Sequence, residues 1–171
     1  MQHHSHTQTR RTTIAVAAAA VALAAAASLS HSPSSHAAQT QRAVVSTRTT
    51  KLGRILVDAR GRTLYLFARD HGGKSSCNGQ CAAFWPPLIT HGTPRVSGGA
   101  KASLIGTTRR ADGQLQVTYN HQPLYTFVKD TKAGQTNGEE VNAFGAEWYA
   151  LSAAGRKVAK DASKSNGGYG A

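Results

Sequence analysis

A chain of 171 residues with 20 Lys and Arg against 8 Asp and Glu carries a formal charge of +12, a field that draws anionic polymers to it. Met1 is the one methionine, which excludes a methionine-rich copper site, and the length allows one domain with a real core rather than several.

The N-terminal residues do not read as part of that domain. Arg10 and Arg11 precede an Ala/Val run from Ile14 to Ala27, which is short of the ~20 residues that cross a bilayer. Small residues follow, and Ser35-His36-Ala37 fits a signal-peptidase site. Residues 1–37 are therefore expected to be an export signal, by the general or the twin-arginine route. No cysteine precedes Cys77, so no lipid anchor is expected on the exported chain, which keeps 18 basic and 8 acidic residues, a charge of +10. Residues 38–51 are polar without a sustained period and read as a linker or a loose first strand. Residues 159–171 lack apolar content and read as a flexible tail.

Between residues 52 and 158 strands dominate. Ile55–Asp58 and Arg62–Ala68 flank the turn Ala59-Arg60-Gly61, and Leu104–Arg110 and Gln114–Tyr119 flank Ala111-Asp112-Gly113. The turn Asn120-His121-Gln122-Pro123 leads into a strand over residues 124–130. Glu147–Ser152 and Arg156–Ala159 flank Ala153-Ala154-Gly155. Gln80–Phe84 and Glu139–Phe144 are each expected to form a helical turn or two. The fold class is mainly β: a single sandwich or barrel-like domain of two related hairpin repeats with short helical turns.

The repeat itself is written in TLYLFARD (63–70) and PLYTFVKD (123–130), 60 residues apart, each followed by a small-residue loop, an Ala-Phe pair and a tryptophan, Trp85 or Trp148. Repeat 1 spans about residues 52–90 and repeat 2 about 104–152. Alternation places Tyr65, Phe67 and Arg69 on one face and Leu64, Leu66 and Ala68 on the other, with Tyr125, Phe127 and Lys129 opposite Leu124, Thr126 and Val128 in the second copy. Apolar residues on both faces predict central strands, related by a pseudo-twofold axis. Asp70 and Asp130, at the strand ends, are placed to accept backbone N–H groups of the following loops.

These two Tyr-x-Phe-x-x-Asp motifs, the first running into a Cys-x-x-x-Cys loop and Trp-Pro-Pro, resemble the bacterial secreted-repeat family, predicted lipoproteins with a Y-x-(F/W/Y)-x-x-D motif. The resemblance covers residues 52–152. It implies an exported envelope or extracellular protein and assigns no biochemical role. The chain departs from the lipoprotein label in lacking the acylated cysteine, and its second copy has Gly138 and Asn142 near the positions of the cysteines.

In an oxidising compartment Cys77 and Cys81 are expected to pair, since three intervening residues let their Cα atoms approach to the required ~5–6 Å. Two alternatives stay open: thiol-redox exchange, and a Cu or Zn site completed by His71. Against the first stands the Cys-x-x-x-Cys spacing; against the second, an incomplete ligand set. Gly72-Gly73-Lys74 lacks the leading glycine of a phosphate loop, and no G-x-S-x-G elbow supplies a nucleophile. The expectation is thus a non-catalytic, cofactor-free binding or structural module. Its expected partners are anionic envelope polymers, lipid surfaces or an envelope protein, not nucleic acid. Arg60, Arg62, Arg109 and Arg110 sit in or beside the turns, where ordinary solubilising charge is the plain reading.

Overall fold

The computed structural model describes residues 42–158. The expected export signal and tail lie outside the described residues. In chain order the elements are β1 (Val44–Thr50), β2 (Gly53–Asp58), β3 (Tyr65–Phe67), α1 (Gln80–Phe84), β4 (Arg95–Val96), a 3-10 turn (Ala102–Leu104), β5 (Ile105–Arg109), β6 (Leu115–Tyr119), β7 (Gln122–Pro123), β8 (Val141–Ala143) and β9 (Ala146–Ala150). They form three small sheets, ordered β2-β1-β4, β3-β9-β8 and β5-β6-β7, and no closed barrel. Of the described helices, none is long and apolar enough to cross a membrane.

Several expectations are corrected. Within residues 38–51, read as a linker or a loose first strand, Val44–Thr50 is the strand β1, antiparallel to β2 and parallel to β4. Its Val-Val-Ser-Thr-Arg-Thr-Thr is rich in β-branched residues that favour the pleat, but only Val45 enters the core, so no apolar period betrays it. The folded unit therefore begins upstream of residue 52. Glu139–Phe144 is not helical: Val141–Ala143 is a strand that turns back through Phe144-Gly145 into β9. Residues 124–130 do not form a continuous strand either. Tyr125 there bridges Tyr65 on one side and Pro87 on the other, while the chain around it curves. Gln122 and Pro123 belong to β7, leaving Asn120 and His121, both at positive φ, as the two-residue turn. The single helical turn at Gln80–Phe84 forms as the sequence indicates.

The repeats are interlocked, each lending its closing segment to the other. The Leu56 N–H donates to the Leu151 carbonyl (2.7 Å), Leu151 to Leu64 (3.3 Å), and Leu64 back to Leu56 (3.0 Å). In the other half Val117 donates to Leu88 (2.8 Å), Leu88 to Leu124 (2.9 Å), and Leu124 back to Val117 (3.0 Å). Leu88 comes from repeat 1 but closes the ring of repeat 2, and Leu151 does the reverse. Backbone groups that a lone repeat would leave unpaired are thus satisfied by its sister.

Two buried clusters follow from the strand alternation. Tyr65 and Phe67 lie with Ile55, Val57, Trp85, Tyr125, Phe127 and Trp148; Leu64 and Leu66 lie with Val45, Leu56, Val117, Leu124 and Leu151. Residues 64–67 and 124–127 are buried on both faces, as the two-sided apolar pattern requires, while Ala68 and Val128 at the motif ends are exposed.

Candidate functional site

The motif residues meet at the middle of the molecule. Tyr65 and Tyr125 face each other across an antiparallel bridge, with Tyr65 N–H donating to the Tyr125 carbonyl (2.8 Å) and Tyr125 N–H to that of Tyr65 (3.0 Å). Their side chains then cross. The Tyr65 hydroxyl donates to Asp130 Oδ2 and the Tyr125 hydroxyl to Asp70 Oδ2, both at 2.6 Å. The tyrosine of each motif is therefore satisfied by the aspartate of the other. The second oxygen of each carboxylate takes a loop N–H, from Ser76 to Asp70 Oδ1 (2.8 Å) and from Asn137 to Asp130 Oδ1 (2.9 Å). The loop N–H bonds expected for both aspartates are present, but the tyrosine partner in the other motif was not legible.

The rings follow the same exchange. Phe127, Trp85, Trp148 and Phe67 form one continuous stack with centroid spacings of 4.1, 3.9 and 4.1 Å and interplanar angles of 18°, 3° and 9°. Each phenylalanine covers the tryptophan of the other repeat. Tyr65 meets Trp85 edge-on (5.4 Å) and Tyr125 meets Trp148 edge-on (5.1 Å). At about 1 kcal/mol per aromatic pair beyond area burial, the arrangement contributes several kcal/mol to holding the halves together. Gly138 is small because it must be: a Cβ there would stand 2.8 Å from Trp85 and 2.9 Å from Tyr65.

Burial raises the pKa of Asp70 and Asp130 above the ordinary carboxylate range, while the phenol and loop hydrogen bonds pull each back down. Burial and the facing carboxylate push both phenols well above their ordinary value. Perturbed groups of this kind also mark catalytic sites. Here, however, both oxygens of each carboxylate are engaged by fixed donors. Of the motif's polar groups, Asp70 borders an open cleft of about 490 Å³, which Arg156 and Lys157 also line.

Cys77 and Cys81 form a disulfide with Cα atoms 5.3 Å apart, and both residues are buried. So small a ring restricts the unfolded chain by about 2 kcal/mol on the loop-entropy account. The loop is clamped by Arg110, which sequence reasoning left among the solubilising charges but which is only 5 % exposed. Its guanidinium donates to the Cys77 carbonyl (2.8 Å), Asn78 Oδ1 (3.0 Å), Ser75 Oγ (2.7 Å) and Gln116 Oε1 (2.7 Å). Gln116 donates in turn to the Leu124 carbonyl. An Arg-Arg-Ala-Asp-Gly stretch looks like a surface turn, and nothing local in it announces a buried guanidinium. His71 is exposed in a turn closed by Lys74 N–H, and among the described residues no three His, Cys, Asp or Glu are grouped to hold a metal ion.

A group of cationic residues lies along the β1–β2 hairpin. Three adjoining clefts of about 310, 570 and 430 Å³ line up there. Arg42, Arg62 and His91 border the first, Arg48 and Arg60 the second, and Arg48 and Lys51 the third. Arg60 is shared by the first two and Arg48 by the last two, so the clefts form one trough. Asp58 is the acid lining it, and that carboxylate is buried, ion-paired with Arg62 at 2.8 Å and engaged by the Arg60 and Arg62 N–H groups. Arg42, Arg48 and Arg60 are exposed.

Among known proteins, a family model described as a secreted repeat of unknown function matches residues 46–89 and again 106–152. No curated protein and no solved structure matches the chain. The first match begins inside β1, which belongs to repeat 1, and the two matches are the halves that exchange closing segments, tyrosines and phenylalanines. Together they cover more than half of the chain, and the protein belongs to the secreted-repeat family of unknown function.

Proposed function

We propose that the protein works outside the cytoplasm as a non-catalytic binding module of the cell envelope, and that its ligand is an anionic envelope polymer held along the β1–β2 hairpin. The observation that carries this reading is the trough, in which exposed arginines line three connected clefts and the lone acid is neutralised by its own neighbour. A seven-residue strand extends about 20 Å, so the cations meet successive charges of a linear polymer rather than one small anion. The Tyr–Asp centre serves as the rigid support: its polar atoms are engaged with one another and its rings are buried. The reading needs no cofactor. The carrier alternative would first require reduction of a disulfide whose two residues are buried.

Titration with purified wall polymer, and with polyphosphate as a defined probe, tests the proposal. Binding should weaken steeply with salt, as expected for exposed charges screened over ~8 Å at physiological ionic strength. Arg48→Ser with Arg60→Ser should reduce affinity at least about tenfold at unchanged melting temperature, given roughly 1 kcal/mol for each cation facing a polyanion. No binding by the unaltered protein at physiological salt, or binding indifferent to both substitutions, refutes it.

A further inference from the structure

A second surface carries a different chemistry. Phe84, Val128 and Phe144 are the exposed large hydrophobic residues among those described, at 42 %, 45 % and 37 %, and they form one patch. The rings of Phe84 and Phe144 lie 6.0 Å apart, and the Val128 N–H donates to the Phe84 carbonyl at 3.1 Å. Phe84 comes from repeat 1, the other two from repeat 2. The placement of Phe144 runs against local preference. It is the first residue of the two-residue turn between β8 and β9, at φ 59 before Gly145 at φ 89, a position that favours Asn, Asp or Gly. An aromatic residue in the left-handed region is not what the turn itself favours, so its value lies in what it touches.

Exposed cations lie beside the patch. Arg69 and Lys129, equivalent residues of the two motifs, are both exposed. Arg69 Nη1 donates to the Phe144 carbonyl at 3.4 Å, and Lys129 follows Val128 in the chain. Of the exposed acids on the same hairpin, Glu147 accepts from the Tyr149 hydroxyl at 3.1 Å and Glu140 stands just before β8. The patch exposes on the order of 200 Å² of apolar surface, judged from the ~200 Å² of a whole aromatic side chain. That is far below the ~800 Å² that each partner of a stable dimer buries. Two exposed rings with Arg69 at the Phe144 carbonyl and Lys129 next to Val128 in the chain match instead the headgroup–acyl boundary of an anionic bilayer, where aromatic side chains settle and lysine and arginine meet lipid phosphates.

We infer that Phe84, Phe144 and Val128, flanked by Arg69 and Lys129, dock the exported protein peripherally on an anionic lipid surface. This inference is independent of the polymer trough, and separate variants report on each.

Flotation of the full exported chain with phosphatidylcholine vesicles, pure or containing about one third phosphatidylglycerol, provides the test. Binding to the anionic vesicles is expected, with little to the neutral ones. Phe84→Gln with Phe144→Asn should lower it about tenfold or more. Arg69→Gln or Lys129→Gln should each lower it about fivefold. Phe144→Asn alone should leave the melting temperature unchanged or raise it, because Asn suits the turn. Trough variants Arg48→Ser and Arg60→Ser should float like the unaltered protein. Absence of vesicle binding, binding that survives loss of both rings, or binding abolished by the trough substitutions overturns the inference. So does a marked fall in melting temperature for Phe144→Asn, which would make the ring a fold element. A concentration-dependent dimer, or capture of a neutral glycan, lost with the rings would reassign the patch and likewise overturn it.

Discussion

Replacing Tyr65 by Phe removes one oxygen and leaves the ring. That oxygen donates to Asp130 Oδ2 at 2.6 Å and accepts the Gly138 N–H at 3.2 Å, both in the interior. A hydrogen bond to a charged acceptor contributes roughly 1.5–3 kcal/mol, and an orphaned buried N–H adds roughly 1 kcal/mol or more. A loss of about 3 kcal/mol is expected, a large part of the roughly 5–15 kcal/mol that holds a domain of this kind together. The pH dependence separates this cause from a packing defect. Burial already raises the Asp130 pKa, and the phenol pulls it down. Without the phenol it rises further, so the folded variant holds its proton to higher pH. The penalty should therefore be largest near neutrality and shrink as pH falls through the raised value toward about pH 4, where a neutral carboxyl needs the lost donor less. Urea unfolding at both pH values, followed by emission of Trp85 and Trp148, measures it. A penalty below about 0.5 kcal/mol, or one equal at the two pH values, refutes the reasoning.

The two crossed phenols should also resist ionisation: in an alkaline spectrophotometric titration Tyr65 and Tyr125 should ionise only as the chain unfolds. Their folded-state values are raised, so the stability they lend is present below the ordinary phenol value and lost as pH climbs past it. Early, reversible ionisation of every tyrosine would count against a closed centre. The exchange of Leu88 and Leu151 predicts that fragments 42–98 and 99–158 are each unfolded alone and recover native tryptophan emission when mixed. A single fragment with cooperative unfolding of its own would contradict the interlocked fold.

How much of this was legible follows from the range of each interaction. The Tyr-x-Phe-x-x-Asp copies, the hairpin turns at Gly61 and Gly113, and the two-faced burial of Leu64–Phe67 rest on alternation and turn chemistry within a few residues. So does the pairing of Cys77 with Cys81, two lone cysteines one short turn apart. Where local signals conflict, the reading failed. Glu139–Phe144 has helix-compatible composition, yet Trp148 and Val141 pair across a turn, and tertiary packing overrides a weak propensity. β1 stayed one of two readings, linker or loose first strand, because serine and threonine fill most of its positions and Val45 alone is buried.

By itself the sequence determined that the chain is a duplicated, basic, mainly β protein with a cysteine pair. Only the tertiary structure decided that each tyrosine belongs to the other repeat's aspartate, that Leu88 and Leu151 trade places, and that Arg110 is buried while Arg42, Arg48 and Arg60 share a trough. The reason is one of reach. Two related motifs offer each tyrosine an aspartate five residues along and another in the sister motif, 65 residues from Tyr65 and 55 from Tyr125. The antiparallel bridge at Tyr65 and Tyr125 sets the two motifs side by side and brings the distant one to 2.6 Å.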